Sequence, residues 1–131
     1  MNGERMSDHT SKIRIAVPSE SPGGLDARRS GHFGRCECFT IVDLQDGAVG
    51  EVQVLTNAPH TEGGCMAPVM ALAEHMVDAI VVDGIGGRPL LGFNQVGIAV
   101  HSGVGADVRT AVDAYLQGDL PVVDLEGACR H

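Results

Sequence analysis

Residues 66–100 read MAPVMALAEHMVDAIVVDGIGGRPLLGFNQVGIAV, and the fold class follows from the helix and strand signals in this segment. Its first part carries apolar residues at helical spacing, namely Met66, Val69, Met70, Ala73, Met76 and Val77. The apolar run Ala79–Val82 then predicts a buried strand, Pro89 suits the first turn of a short helix, and residues 97–100 predict another strand. A helix between two buried strands predicts an α/β domain whose strands are joined by crossovers.

The sequence before this stretch predicts three more strands. Residues 13–17 form a short apolar run that Pro18 stops, which is typical of a buried strand. Residues 38–43 and 48–55 are rich in β-forming residues, and the pair Asp46-Gly47 between them supplies the left-handed turn of a hairpin. We therefore expect an antiparallel pair of strands in the first half of the chain.

The last predicted element is a helix over residues 108–116, which carry an apolar stripe. Asp107 is placed to cap its start and Gly118 to cap its end. The predicted order is thus β-β-β-α-β-α-β-α in an α/β domain with a mixed sheet. This is the layout of ribonuclease H-like folds.

Length and composition favour a single domain. A chain of 131 residues, with 44% apolar and 20% charged residues, has room for one core. We expect the domain to span residues 12–120, between a polar N-terminal tail (1–11) and a C-terminal tail (121–131).

The charge of the chain limits the partners that we expect for it. The formal net charge of −8 argues against nucleic acid as a partner, because phosphate binding depends on clustered Lys and Arg.

Residues 1–11 lack the apolar run of a secretion signal and no stretch is long enough to span a membrane, so we expect a cytoplasmic protein without membrane contact. In that reducing compartment the cysteines should be free thiols or metal ligands. They are Cys36, Cys38, Cys65 and Cys129.

Three patterns typical of catalysis or nucleotide binding are absent from the sequence. Two-metal phosphoryl chemistry needs carboxylates that converge at strand ends, beginning on the first strand, and residues 13–17 contain none. Asp43 and Asp83 close later strands, where turn or capping roles are more common. The Gly-rich turn at 84–87 lacks the third glycine of a dinucleotide motif, and no G-x-S-x-G sequence occurs. We therefore expect no enzyme activity.

The remaining chemistry is metal binding by soft ligands in Gly-rich loops that share one end of the sheet. Cys65 directly precedes a predicted helix, whose N-terminus would favour a thiolate able to bind iron or copper. His32 and His60 also lie in Gly-rich loops, and His101 lies just beyond a predicted strand. Roles other than metal binding stay open for these residues, since Cys65 could be a small buried residue and the histidines could be solvated.

Two further cysteine pairs have short spacings. Cys36 and Cys38 resemble a chelate, but residues two apart in a strand are about 6.6 Å from each other, too far to hold one ion comfortably. We expect Cys38 in the core, whereas Cys36, at the edge of its loop, is the better ligand candidate. Cys129 and His131 share a tail that could close over a metal or remain free of it.

A series of motifs resembles one known family. The motifs are Ser30-Gly31-His32-Phe33-Gly34-Arg35, Gly63-Gly64-Cys65-Met66-Ala67-Pro68, and residues 39–43, 77–86, 97–100 and 111–120. Over about residues 12–120 the sequence is similar to the dinitrogenase iron–molybdenum cofactor biosynthesis domains, which include NifX-like carriers and the C-terminal part of NifB-like proteins. The series as a whole carries this resemblance, rather than any one motif.

The resemblance implies a ribonuclease H-like fold and a role in binding iron–sulfur or iron–molybdenum cofactor precursors without catalysis. It also implies a metal-cluster donor or acceptor protein as partner. His32 falls in the His-Phe-Gly signature and Cys65 in the Gly-rich loop before the first helix, so both match candidates reached from chemistry. Family members commonly have a small residue and an aromatic residue in place of Cys36 and Cys38, so no ligand role transfers to these positions.

Two functions stay open at this point. The chain could be a carrier or scaffold for a metal–sulfur cluster, or a regulatory or protein-interaction module whose cysteines are structural. Free thiols in loops suit both. We expect a monomer or a weak homo-oligomer in either case.

Overall fold

The computed structural model of the chain describes residues 12–30, 33, 36–57, 66–83, 85–103 and 105–123. Within them, five strands and three helices follow the predicted order β-β-β-α-β-α-β-α. Their bounds are β1 Lys12–Ser19, β2 Cys38–Gln45, β3 Ala48–Thr56, α1 Met66–Glu74, β4 Ala79–Val82, α2 Gly87–Val96, β5 Ala99–Ser102 and α3 Val108–Leu116. None of these helices is long and apolar enough to cross a membrane.

The strands form one mixed sheet in the order β3-β2-β1-β4-β5. β1 pairs antiparallel with β2 and parallel with β4, and β4 pairs parallel with β5. The predicted antiparallel opening and the crossovers between the later strands are therefore confirmed. β1 lies inside the sheet, and its residues Ile15, Ala16 and Val17 have no exposed surface, as expected for a strand covered on both faces.

The helices cover both faces of the sheet, because side chains alternate between the faces along each strand. On what we call the two-helix face, the sheet packs against α1 and α2. This core includes Ala16, Ile80, Val100, Val69, Leu72, Leu90 and Phe93. On the opposite side, which we call the one-helix face, the sheet packs against α3. This second core includes Ile15, Val17, Val42, Val81, Val108, Ala111 and Val112.

β1 continues through Pro18 to Ser19, beyond the predicted stop. Pro18 has no N–H to donate, but the paired register with β4 covers only the middle of β1, and Ser19 instead bridges to Arg29. The carbonyl of Pro18 accepts a hydrogen bond from the N–H of Ser30 at 2.9 Å. A proline is tolerated here because it lies near the end of the strand, where the regular ladder gives way to a loop.

The boundary between α2 and β5 differs from the prediction by two residues. α2 begins at Gly87 and includes Pro89 in its first turn, where a missing N–H costs no helical hydrogen bond. Gly97 takes a left-handed φ of 83°, and the N–H groups of Gly97 and Ile98 return to carbonyls of the last helical turn. These two residues therefore form the helix cap, and β5 begins only at Ala99.

Two methionines of the predicted helical stripe do not reach the core. α1 ends at Glu74, and Met76 has a left-handed φ of 61°, so helical spacing no longer determines where its side chain lies. Met76 is 75% exposed and Met70 is 50% exposed, whereas Val69 and Leu72 are fully buried. The prediction of a buried stripe is thus wrong for Met70 and Met76.

The first residues of the predicted C-terminal tail lie along β5. The N–H of Ser102 donates to the carbonyl of Pro121 at 2.9 Å, and the N–H of Val123 donates to that of Val100 at 2.8 Å. The bridge between these bonds is antiparallel, so residues 121–123 run in the direction opposite to β5. Residues 121–123 therefore lie along β5, although the prediction placed them in the C-terminal tail.

Candidate functional site

One end of the sheet gathers the segments that carry the predicted ligands. We call this end the loop edge, and it is marked by Ser19 of β1, Cys38 of β2, Thr56 of β3, Val82 of β4 and Ser102 of β5. The parallel strands all finish there, and sites of α/β proteins are commonly built at such ends.

Several of the predicted ligands lie outside the described residues. They are His32, His60, Cys65, Cys129 and His131. In the ranges that the structure describes, no three His, Cys, Asp or Glu side chains come close enough together to hold a metal ion. The ligand roles of these residues stay predictions, and the described residues around them define where their segments begin and end.

Asn57 links the described ends of the two segments that contain the predicted ligands His32 and Cys65. It directly follows β3 and precedes residues 58–65, and its Nδ2 donates to the carbonyl of Cys36 at 2.9 Å. Its backbone N–H donates to the carbonyl of Glu37 at 3.1 Å. The segment that contains Cys65 therefore starts beside the segment that contains His32. Our sequence interpretation missed Asn57, although a polar residue between a strand and a Gly-rich loop is a common signal for such a tether.

Phe33 anchors the segment around His32 in the core of the two-helix face. It is 5% exposed, and its ring lies 5.2 Å from that of Phe93 in an edge-to-face arrangement and 5.9 Å from that of Phe39. Aromatic pairs at these distances add to the stability gained from burial alone. Phe33, which directly follows His32, is thus packed against α2 and β2.

Cys36 is buried rather than open at the loop edge. It is 4% exposed, and its Sγ donates to the carbonyl of Phe33 at 3.3 Å. Burial, with a smaller contribution from Cys38, raises the pKa of the Cys36 thiol to about 12. Cys36 is therefore a neutral thiol at physiological pH, and metal binding there would have to offset the cost of losing this proton.

Cys38 occupies the core position that its place in the strand predicts. It is 4% exposed, and its Sγ lies 3.7 Å from the carbonyl oxygens of Ser19 and Glu20. Burial raises the pKa of this thiol as well. The predicted packing role of Cys38 is confirmed by this burial.

His101 lies on the one-helix face. It is next to Val81 in the parallel register, and its ring packs edge to face on Tyr115 with 5.1 Å between the ring centroids. Cys36 belongs to the core of the two-helix face, so the sheet separates the two side chains. The structure does not bring His101 together with Cys36.

The two acids considered for catalysis lie at different ends of the sheet. Asp83 is at the loop edge and accepts from Nη2 of Arg29 at 2.5 Å. Asp43 is in register with Arg14 and accepts from its Nε at 2.7 Å. Arg29 bridges to Ser19, and the span of β1 from Arg14 to Ser19 is roughly 16 Å. These two carboxylates therefore do not converge on one pair of metal ions.

A family model described as "Dinitrogenase iron-molybdenum cofactor" matches residues 11–118. An uncharacterized protein of Methanocaldococcus jannaschii is 29% identical over 110 residues, which cover 82% of this chain and 89% of the relative. The match therefore spans nearly the whole described domain.

Two solved structures share the fold at moderate sequence identity. The apo form of the orange protein of Desulfovibrio gigas has a TM-score of 0.72 and 26% identity, covering 84% of this chain and 92% of the other. A NifB-like protein of Thermotoga has a TM-score of 0.67 and 27% identity, with the same coverage. Both alignments take in almost the full length of the compared proteins.

Proposed function

Because the chain belongs to the dinitrogenase iron–molybdenum cofactor family, we propose that it binds and carries an iron–sulfur or iron–molybdenum type cluster, or a precursor of one, without catalysing a reaction. The observation that carries the proposal is the tether from Asn57 to Cys36, which joins the flanks of the segments that hold Cys65 and His32. The strand order supports a ribonuclease H-like fold for this carrier.

Cys65 is the main anchor in this proposal, because it directly precedes α1. The N-terminus of a helix favours negative charge, and the first turn of α1 contains no acidic residue that would oppose it. A thiolate is a strong ligand for iron and copper, whereas the buried thiol of Cys36 is held in its neutral form. Cys36 is therefore a secondary ligand that binds only if a metal displaces its proton.

Imidazoles complete the ligand set in this proposal. His32 is the second ligand, because Phe33 fixes the adjoining backbone at the two-helix face. His60 is a third candidate from the same segment as Cys65. His101 is the weakest of the proposed ligands, since it lies across the sheet from Cys36.

The carrier acts in the cytoplasm, where thiols remain reduced, and exchanges its cluster with a donor or acceptor protein. A regulatory or protein-interaction module is the alternative function. The observation in its favour is that Cys36 and Cys38 are both buried and hydrogen-bonded, as structural cysteines are.

Replacing Cys65 by serine should remove most of the bound cluster, because serine offers no thiolate. Cys38→Ser is the matched control, since it makes the same chemical change in the core and should mainly perturb packing. His32→Ala should fall between the two. The measurement is iron and acid-labile sulfide per protein after anaerobic reconstitution, with circular dichroism to verify folding.

Two results would count against this proposal. If folded Cys65→Ser binds as much cluster as the parent, the anchor lies elsewhere, with Cys36 or the pair Cys129 and His131 next to be tested. If the parent itself binds no cluster, the carrier function is wrong and the interaction module takes its place.

A further inference from the structure

A cavity of about 450 Å³ opens on the one-helix face, near the end of α3. Its aliphatic walls are formed by Ile13, Leu44, Leu116 and Leu120, and a substantial part of the remaining surface is polar. This volume is within the usual range for small-molecule sites, which are mostly apolar with a few polar groups that fix orientation. The cavity shares no lining residue with the tether between Asn57 and Cys36, and among the described residues His101 is the proposed cluster ligand that lines it.

His101 supplies a hydrogen-bond acceptor to this cavity. Its Nδ1 lies 3.0 Å from the carbonyl oxygen of Leu120. A carbonyl oxygen can only accept, so Nδ1 carries the proton, and in the neutral ring Nε2 is left with a lone pair. Among the described residues Nε2 has no hydrogen-bond partner, although His101 is partly buried and lines the cavity.

Tyr115 restrains this imidazole and adds a second polar group. Its ring meets that of His101 at 81°, and burial raises the pKa of its phenol, which therefore stays protonated. No hydrogen bond of its hydroxyl to another described residue is present. The polar side chains of the described lining are thus the imidazole of His101, which offers one acceptor, and the phenol of Tyr115, which offers one hydroxyl.

These groups restrict the kind of ligand. One imidazole without a second donor of nitrogen, sulfur or carboxylate is too little to hold a metal ion. The described lining contains no Lys or Arg, and the chain carries a net charge of −8, so an anion would find no counter-charge. A neutral hydroxyl group on an apolar ring matches both the acceptor and the walls.

We propose that this cavity binds a compact, uncharged molecule with an apolar ring and one hydroxyl group, which donates its hydrogen bond to Nε2 of His101. The apolar ring lies against Ile13, Leu44 and Leu116, and the hydroxyl group faces the imidazole of His101. The site needs no bound cluster and shares with the cluster proposal only His101, the weakest of the proposed cluster ligands, so phenol binding and cluster loading are measured separately.

The test uses phenol and toluene as probes, titrated into the full chain and followed by backbone amide shifts in NMR spectra. His101→Asn keeps an amide donor near the position of Nδ1 but removes the acceptor at Nε2, whereas His101→Gln places an amide oxygen near Nε2. We expect His101→Asn to weaken phenol binding about fivefold, the usual value of one neutral hydrogen bond, and to leave toluene binding unchanged. His101→Gln should bind phenol within about twofold of the parent.

Leu116→Trp is a second variant, which fills the cavity from α3 and should abolish binding of both probes. The same amide spectra report whether each variant is folded. The proposal is overturned if phenol causes no shifts around the cavity of the parent, or if His101→Asn weakens phenol and toluene equally. It is also overturned if folded Leu116→Trp binds both probes as the parent does.

Discussion

Replacing Phe93 by alanine should lower the free energy of unfolding by about 3–5 kcal/mol. Phe93 has no exposed surface and lies at the centre of the two-helix face, where its ring meets Phe33. Its removal would leave a cavity. It would also take away the ring against which Phe33, the residue after His32, packs. We therefore expect a loss of cluster loading as well as a loss of stability. Urea unfolding and anaerobic reconstitution measure the two effects.

Leu91→Ala is the matched control for this prediction. Leu91 lies on the same helix but is 44% exposed, so its truncation should cost less than about 1 kcal/mol and leave loading unchanged. Equal losses of stability in the two variants would contradict the placement of Phe93 at the centre of the core.

Raising the pH from 9 to 11 should destabilise the protein by about 2–3 kcal/mol through Cys36 alone. The pKa of this thiol rises from its ordinary value of 9.0 to about 12 on folding. Between these values the unfolded chain loses the proton while the folded chain keeps it, so the unfolded state binds fewer protons. Stability therefore falls as pH rises through this window, and it is unaffected by Cys36 below pH 9.

The measurement compares urea unfolding of the parent and of Cys36→Ala at a series of pH values. Other groups also titrate here, and the difference between the two proteins isolates the contribution of Cys36. Cys38→Ala is the control, because it removes a second buried thiol from the same region and leaves Cys36 in place. Parallel pH profiles for the parent and Cys36→Ala would show that the thiol is not buried as described.

Most of the fold could be predicted because its local signals agree with its tertiary contacts. Asp46-Gly47 does form a two-residue turn with both residues at positive φ, and Asp107 does cap α3 by accepting from the N–H of Thr110. One error occurs where a boundary depends on a distant neighbour. The end of β1 is set by the bridge from Ser19 to Arg29, and neither residue indicates this partner by itself.

The candidate site was less predictable than the fold. Residue type and loop position could point to Cys36 as a ligand, but only packing against the two-helix face reveals that its thiol is buried and neutral. For His101, too, position in the sequence and packing in the structure point to different surroundings. Its position near the end of β5 suggested a place among the ligands, whereas the alternation of side chains along the strand directs it to Tyr115 instead.

The segment 121–123 makes the two edge strands of the sheet, β3 and β5, differ in their exposure to other molecules at high protein concentration. It covers β5, whereas the outer side of β3 has no strand partner within the described chain. An open strand can template aggregation, and Val49 and Val54 of β3 are 40% and 44% exposed. The irregular register of β3 and the charge of Glu51 oppose such growth. Within the described residues, β3 is therefore the edge through which we expect the protein to aggregate in a crowded solution, rather than β5.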